Sequence, residues 1–276
     1  MRAGLAGGGA PNKTPIPRVA LSDPWYRSAV KRVWHRATVA AEDGFYLVML
    51  DGKPVRLPNG AALRLRVRAL AEAIAAQWDG AGGGYGGEMS LDLMGLTRLA
   101  GNAQLRIAAD PSSSVASIAA YARTDLLCYR AETPAELVAR QAEAWDPWLG
   151  WAERRYGARL RVGSGIMPVS QPEAALVALR DAVAVLDPNA LAGLEVIVAN
   201  LGSLVLGLAI LEGVISAAEG HGLSIVDELH QESVWGCDPE QAARRRAVAA
   251  QIAEAADFLV LSRGDSMFEG DSPLGM

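Results

Sequence analysis

The sequence predicts an α+β protein: a small N-terminal antiparallel β domain with a covering helix, followed by a larger all-helical domain. Three observations predict it. Before about residue 80, short runs alternate apolar and polar residues between turn dipeptides, the period-two pattern of half-buried strands. After about residue 90, apolar residues recur at the spacing of one helix face. Between the two, the chain turns Gly-rich. The expected division is a flexible tail over 1–24, a β-rich domain over 25–80, a Gly-rich connector over 81–90, a helical domain over 91–262 and a second tail over 263–276.

Taken in order, Val33–Ala40 and Gly44–Leu50 read as strands flanking Ala41-Glu42-Asp43. Asp51-Gly52 is a strong two-residue hairpin signal leading into Lys53–Leu57. Asn59-Gly60 marks another turn before Ala62–Val67, where Leu63, Leu65 and Val67 alternate with Arg64 and Arg66. A helix is expected from about Arg68 to Trp78. Further on, Asp146-Pro147, Asp187-Pro188 and Asp238-Pro239 each place a capping carboxylate before a proline, a helix-start pattern. Thr133-Pro134-Ala135-Glu136 has capping-box spacing. Leu176, Leu179, Val183 and Leu186 form one helical stripe, and Val248, Ile252, Ala255 and Leu259 another. A helix from about Ser216 to Trp235 is expected to stop at Gly236. The uncharged run Val196–Leu211 would reach about 24 Å as a helix, short of a ~30 Å hydrocarbon core. It reads as a buried core helix, not a membrane span.

Composition narrows the function. Of 276 residues, 51% are hydrophobic and 21% charged, a globular balance, and the net charge of −5 opposes general nucleic-acid binding. Cys128 and Cys237 are far apart and form no disulfide framework, which fits a reducing compartment. The first 24 residues lack a secretory signal's apolar core, and their glycines and prolines oppose the amphipathic helix of a mitochondrial presequence. The Arg263-Gly264-Asp265 tripeptide is a chance occurrence.

Catalytic signals are weak. Gly82–Gly87 matches GxGxxG in form, but it follows a helix and has no phosphate-loop lysine, so it reads as a flexible connector. Ser164 lacks a nucleophile-elbow pattern. His35, His221 and His230 are dispersed, and His230 among helix carboxylates reads as a solvated face. No metal site or cofactor is expected. Trp145, Trp148 and Trp151 spread an aromatic face along one helix, suited to a core or a protein contact. Arg123 and Asp125 read as a pair fixing a helix end, while Glu228, Gln231 and Trp235, at i, i+3 and i+7, share a helix face. Glu228 could equally ion-pair inside the bundle or anchor a partner. An enzyme or small-ligand protein with a polar cleft around Arg123, Asp125 and Glu228, aided by His230, is the alternative; a scaffold without a selective client is a third.

Longer segments carry a resemblance. Asp51–Pro58, Gln77-Trp78-Asp79, Leu96–Ala100, Thr124–Pro147, Leu201–Ala209 and Asp227–Gly236 occur in one order over about Arg32 to Leu261. Together they resemble the assembly chaperone for the alpha subunit of the ATP synthase F1 sector (the Atp-twelve family). The chain departs from that pattern in Gly95, where the family usually has proline, in its Gly-rich connector, and in lacking an arginine within Ser224–Glu228. The resemblance implies a non-enzymatic holder of unassembled alpha subunit that needs no cofactor, metal, nucleic acid or membrane insertion. It implies a cytoplasmic location in an alphaproteobacterial-type cell, or the mitochondrial matrix in a eukaryote. It also places the family's important acidic position on Glu228, with Gln231 beside it as a partner contact. Trp78 is then expected to anchor sheet to helices, and Trp235 the end of its own helix.

Overall fold

The computed structural model describes residues 30–165 and 167–263. The tail expected over 1–24 lies outside the described residues, as does the second tail beyond Arg263, which closes the last helix. The chain is α+β: among the described residues, antiparallel strands lie toward the N-terminus and ten helices after and around them.

Strand β2 (Ala37–Glu42) pairs antiparallel with β3 (Phe45–Leu50), so that Glu42 lies opposite Phe45 and Ala37 opposite Leu50. The turn between them is Asp43-Gly44, both at positive φ. This is one step later than Ala41-Glu42-Asp43, and it moves the strand from Val33–Ala40 to Ala37–Glu42. A tight two-residue turn with two left-handed residues matches strand twist, so it fixes the register. Asp51-Gly52 does the same at the other end of β3. The runs Lys53–Leu57 and Ala62–Val67 shrink to β4 (Lys53–Pro54) and β5 (Arg64–Leu65), both paired with β3. Pro54 has no N–H to extend a ladder. The Arg64 amide is taken by the Gln104 side chain at 2.9 Å instead of a strand.

Helix α1 (Arg68–Gly80) covers the inner face of this sheet, burying Leu70, Ala71, Ile74 and Ala75 near Val48 and Leu65. A pairing not foreseen joins β1 (Val30–Lys31) to β6 (Glu88–Met89). The Gly-rich stretch between α1 and β6 has a defined path: Gly86 N–H donates to Arg32 O at 2.8 Å, and Arg32 N–H to Gly87 O at 2.9 Å. A Cβ at Gly87 would lie 1.8 Å from the Gly82 carbonyl oxygen, so only glycine lets these backbones meet. Arg32, buried, donates to the carbonyls of Trp34, His35, Asp79 and Ala81 and so ties β1 to the end of α1.

The remaining elements are α2 (Gly95–Asn102), α3 (Pro111–Ala120), α4 (Ala135–Tyr156), α5 (Glu173–Ala184), α6 (Pro188–Leu201), α7 (Leu204–Leu211), α8 (Ala217–Ser224), α9 (Val226–Trp235) and α10 (Pro239–Arg263). A short parallel pair, β7 (Tyr129–Arg130) with β8 (Gly163–Ser164), interrupts the part expected to be all helical. Helix α6 packs closely on α10, and a Cβ at Gly193 would sit 2.6 Å from Leu259 Cδ2. The apolar core is connected from Val48 of the sheet through Trp78 to Phe258 of α10.

Helix starts at Asp187 and Asp238 are as expected, each carboxylate accepting from an amide of the first turn. Asp146-Pro147 is not a start. Pro147 lies inside α4, because the Asp146 carboxylate is held by Arg130 at 2.7 Å instead of capping. Nor does Thr133–Glu136 form a capping box, since Pro134 occupies the cap and no side chain bonds there. The apolar run Val196–Leu211 is two helices. Gly202 closes α6 at φ +67°, and Ser203 caps α7 through Leu206 N–H at 3.1 Å. Likewise Ser216–Trp235 breaks at Ile225 (φ −113°, ψ 20°) into α8 and α9. Among the described residues, no helix is long and apolar enough to cross a membrane.

Candidate partner-binding site

Helix α9 carries Glu228, Gln231 and Trp235 on one face, and its position is set by α4. Gln141, buried on α4, accepts from Ala131 N–H at 2.8 Å and donates to the Asp227 carboxylate at 2.6 Å. One turn on, Trp145 is fully buried and its Nε1 donates to the Leu223 carbonyl at 2.8 Å, at the end of α8. Arg130 lies over the Trp145 ring at 5.2 Å while bonding Leu127 O and Asp146. Trp148 and Trp151 continue the aromatic row half-buried, packed edge to face at 6.4 Å. Of the three indoles, Trp145 is thus the core and the other two form a shoulder.

Val226 and His230 turn inward from α9. His230 was expected on a solvated face, but it is buried, with its Nδ1 unpaired. The sequence shows its carboxylate neighbours but not the packing of α4 behind the helix. On a third side, Glu232 bonds Arg245 of α10, and the Cys237 thiol also bonds Glu232. That thiol contact, with Arg245 adding to it, lowers the Glu232 pKa, and the carboxylate raises that of Cys237 in return. Glu228 is half-buried near His221. Burial, with Arg245 adding to it, lowers the His221 pKa more than the Glu228 charge raises it.

What α9 leaves outward is Gln231, Leu229, Val234 and Trp235, all exposed. Trp235 is 85% exposed. It therefore packs nothing at the helix end, contrary to its expected role as an anchor there. A fully wetted indole is costly surface, and indoles concentrate where proteins bind partners.

The polar cleft expected around Arg123, Asp125 and Glu228 does not form. Arg123 is exposed and Asp125 is fully buried, so they are not a pair. Asp125 accepts from Leu127 N–H and Val205 N–H, each at 3.1 Å, and pins the 125–128 turn to the start of α7. Burial raises its pKa to about 6 against these donors. The groove of about 660 Å³ that includes Asp181, Val185 and Glu212 is lined by none of the three residues, nor is the one of about 610 Å³ beside Gln77 and Glu254. No cluster of three metal-ligating side chains occurs among the described residues.

Trp78 stands apart from α9. Buried at the end of α1, it donates to Thr97 Oγ1 at 2.9 Å and accepts at its carbonyl from Trp34 Nε1 at 3.1 Å. The two indoles meet edge to face at 5.1 Å. One side chain thus links the sheet side to α2.

Residues 31–153 match the model of the ATP12 chaperone protein family. The chain is 39% identical to Atp12 from Paracoccus denitrificans, whose crystal structure it matches with a TM-score of 0.78 over 84% of this chain and 98% of that one. It is 35% identical to the Atu1473 protein of Agrobacterium tumefaciens, with a TM-score of 0.78 over 85% and 87% of the two chains. It is 23% identical to the mitochondrial atp12 protein of Schizosaccharomyces pombe over 78% of this chain and 77% of that protein. The chain belongs to the ATP12 chaperone family.

Proposed function

We propose that this chain is a holding chaperone for assembly of the F1 sector of ATP synthase, binding unassembled alpha subunit and shielding its apolar interface. The observation that carries the reading is the outward face of α9, where a wetted Trp235 stands beside Val234 and Gln231 while the opposite face is fastened to α4. An isolated ring subunit exposes apolar surface that invites aggregation, and a partner of moderate affinity can cover it and later be displaced. Trp235 and Val234 supply apolar contact area; Glu228 and Gln231 supply orientation and discrimination against wrong partners. Holding of this kind needs no catalysis, nucleotide or metal. The client sets the location: the cytoplasm of a bacterium, or the mitochondrial matrix.

Glu228→Gln keeps volume and helix propensity, so the variant is expected to stay folded. Losing one partly desolvated charge contact costs about 2 kcal/mol, or roughly 30-fold in affinity for alpha subunit. Trp235→Ser removes the exposed indole and is expected to weaken protection of isolated alpha subunit against aggregation to a similar degree. If both variants melt and protect like the parent, α9 is not the client face. If Glu228→Gln lowers the melting temperature sharply, Glu228 belongs to an internal ion pair.

A further inference from the structure

Between Lys53 and Ala71 the chain has five cations and no acid, against a net charge of −5 overall. The sheet gathers part of this run on one face. Leu63 and Leu65 are buried in the core, so the alternating Arg64 and Arg66 point the other way, to solvent. Arg56 bridges to Ala62, which shares the side of Arg64, so its side chain leaves the sheet on this same side, one guanidinium nitrogen donating to the Gly60 carbonyl at 2.7 Å.

The floor of this face is apolar. The Arg64 and Arg66 guanidiniums lie over the Phe45 ring at 4.8 and 5.4 Å. Leu47 pairs directly with Arg64, and it is buried although it stands outside the connected core. Pairing places the arginine stem over it, with the charged head outward. Stacking on an aromatic ring holds a guanidinium in place, so less entropy is lost when its fork meets a carboxylate. Arg56 and Arg66 have no carboxylate within ion-pairing distance among the described residues, and Arg64 has only Asp43 at 3.5 Å.

We propose that this outer face of the sheet is a docking surface for an acidic polypeptide segment, its carboxylates taken by Arg56, Arg64 and Arg66 and its apolar side chains laid on Phe45. The proposal goes beyond the α9 contact and does not depend on the identity of the client. Charge complementarity selects the partner. Glu42, opposite Phe45, and Asp43, beside Arg64, fence one end of the face. A nucleic acid carries a phosphate at every step and cannot avoid that fence. A peptide can place carboxylates on the arginines and leave the fenced end neutral.

The test is fluorescence anisotropy with the full chain at low salt and a labelled synthetic peptide alternating glutamate with leucine. A lysine–leucine peptide and a single-stranded oligonucleotide serve as comparisons. The glutamate peptide is expected to bind, and Arg64→Gln with Arg66→Gln to weaken it about tenfold, two exposed charge contacts being removed. Phe45→Leu should weaken it less, and Glu228→Gln should leave affinity for this peptide at the parental value while weakening alpha-subunit binding, which separates this face from α9. Circular dichroism melts establish that the arginine variants are folded. Failure of the glutamate peptide to bind, tighter binding of the lysine peptide or the oligonucleotide, or a folded double-arginine variant with parental affinity would each overturn the proposal.

Discussion

Asp125 makes the stability of this protein depend on pH in a direction opposite to that of most carboxylates. The side chain is fully buried, and burial disfavours its charged form. Its amide donors from Val205, Leu127 and Leu204, and the Ser203 hydroxyl, favour the charged form. Burial wins, and the pKa rises from 3.8 to about 6. Since the folded state binds the proton more tightly than the unfolded chain, stability falls as pH rises through the folded value and is regained on acidification toward 4. A shift of about two units corresponds to about 3 kcal/mol. Asp125→Asn cannot titrate. It also turns an amide donor toward backbone donors, so it is expected to be less stable than the parent throughout. The informative quantity is the parent-minus-variant difference from urea unfolding at intervals between pH 4 and 7, which should grow as pH falls. A difference that is flat, or that shrinks toward acid, would refute the reasoning, because it would mean that the four donors outweigh burial and hold the pKa at or below its ordinary value.

Three further outcomes are expected. A Cβ at Gly95 would lie 1.8 Å from the Glu254 carboxylate, which bonds Gln77 at 2.9 Å, so Gly95→Ala must swing the end of that flexible side chain away and cost no more than the bond to Gln77, about 0.5–1.5 kcal/mol. Adding Glu254→Ala should recover part of that loss in thermal melts, and strict additivity of the two changes would rule the clash out. Cys237 is exposed, though Glu232 raises its thiol pKa, whereas Cys128 is buried with its pKa pushed up to about 12, so the native protein should take one maleimide at a modest rate and a second only on unfolding; two equivalents taken up by the folded protein, read by mass spectrometry, would contradict this. The purified chain should bind neither ATP nor zinc, and micromolar binding by calorimetry or stoichiometric zinc by elemental analysis would overturn that expectation.

What was legible in the sequence follows from the range of the interactions involved. The hairpin at Asp51-Gly52 and the helix starts at Asp187 and Asp238 depend on backbone groups within three residues, and each is visible in a short string. Asp146-Pro147 has the same local chemistry, yet Arg130, sixteen residues away, takes the carboxylate and α4 runs through. The turn lies at Asp43-Gly44 and not over Ala41-Glu42-Asp43, because the alternation of Ala37–Glu42 is too weak to mark the end of the strand: four of its six residues are alanine or threonine. Pairing of Val30–Lys31 with Glu88–Met89 spans the whole of the sheet and α1, and nothing local announces it. At the candidate site, the shared face of Glu228, Gln231 and Trp235 follows from helical periodicity alone. Which way that face points does not, because it depends on Gln141 and Trp145 seizing the α8–α9 corner from behind.

That dependence gives the long match over Thr124–Pro147 a physical meaning. Gln141 and Trp145, within it, are buried; they hold Asp227 and the Leu223 carbonyl. Arg130 and Asp146 in turn steady Trp145, and Asp125 ties the start of the same segment to α7. A holding protein has to present surface that is costly to wet without collapsing onto it. An indole at a loose helix end would fold back on the nearest apolar neighbour, since burying it gains several kcal/mol. Here α9 is fixed on one side by α4 and on another by the Glu232–Arg245 pair, and the indole at its end stands exposed. Rigidity behind the face, and not flexibility within it, is what keeps the face available.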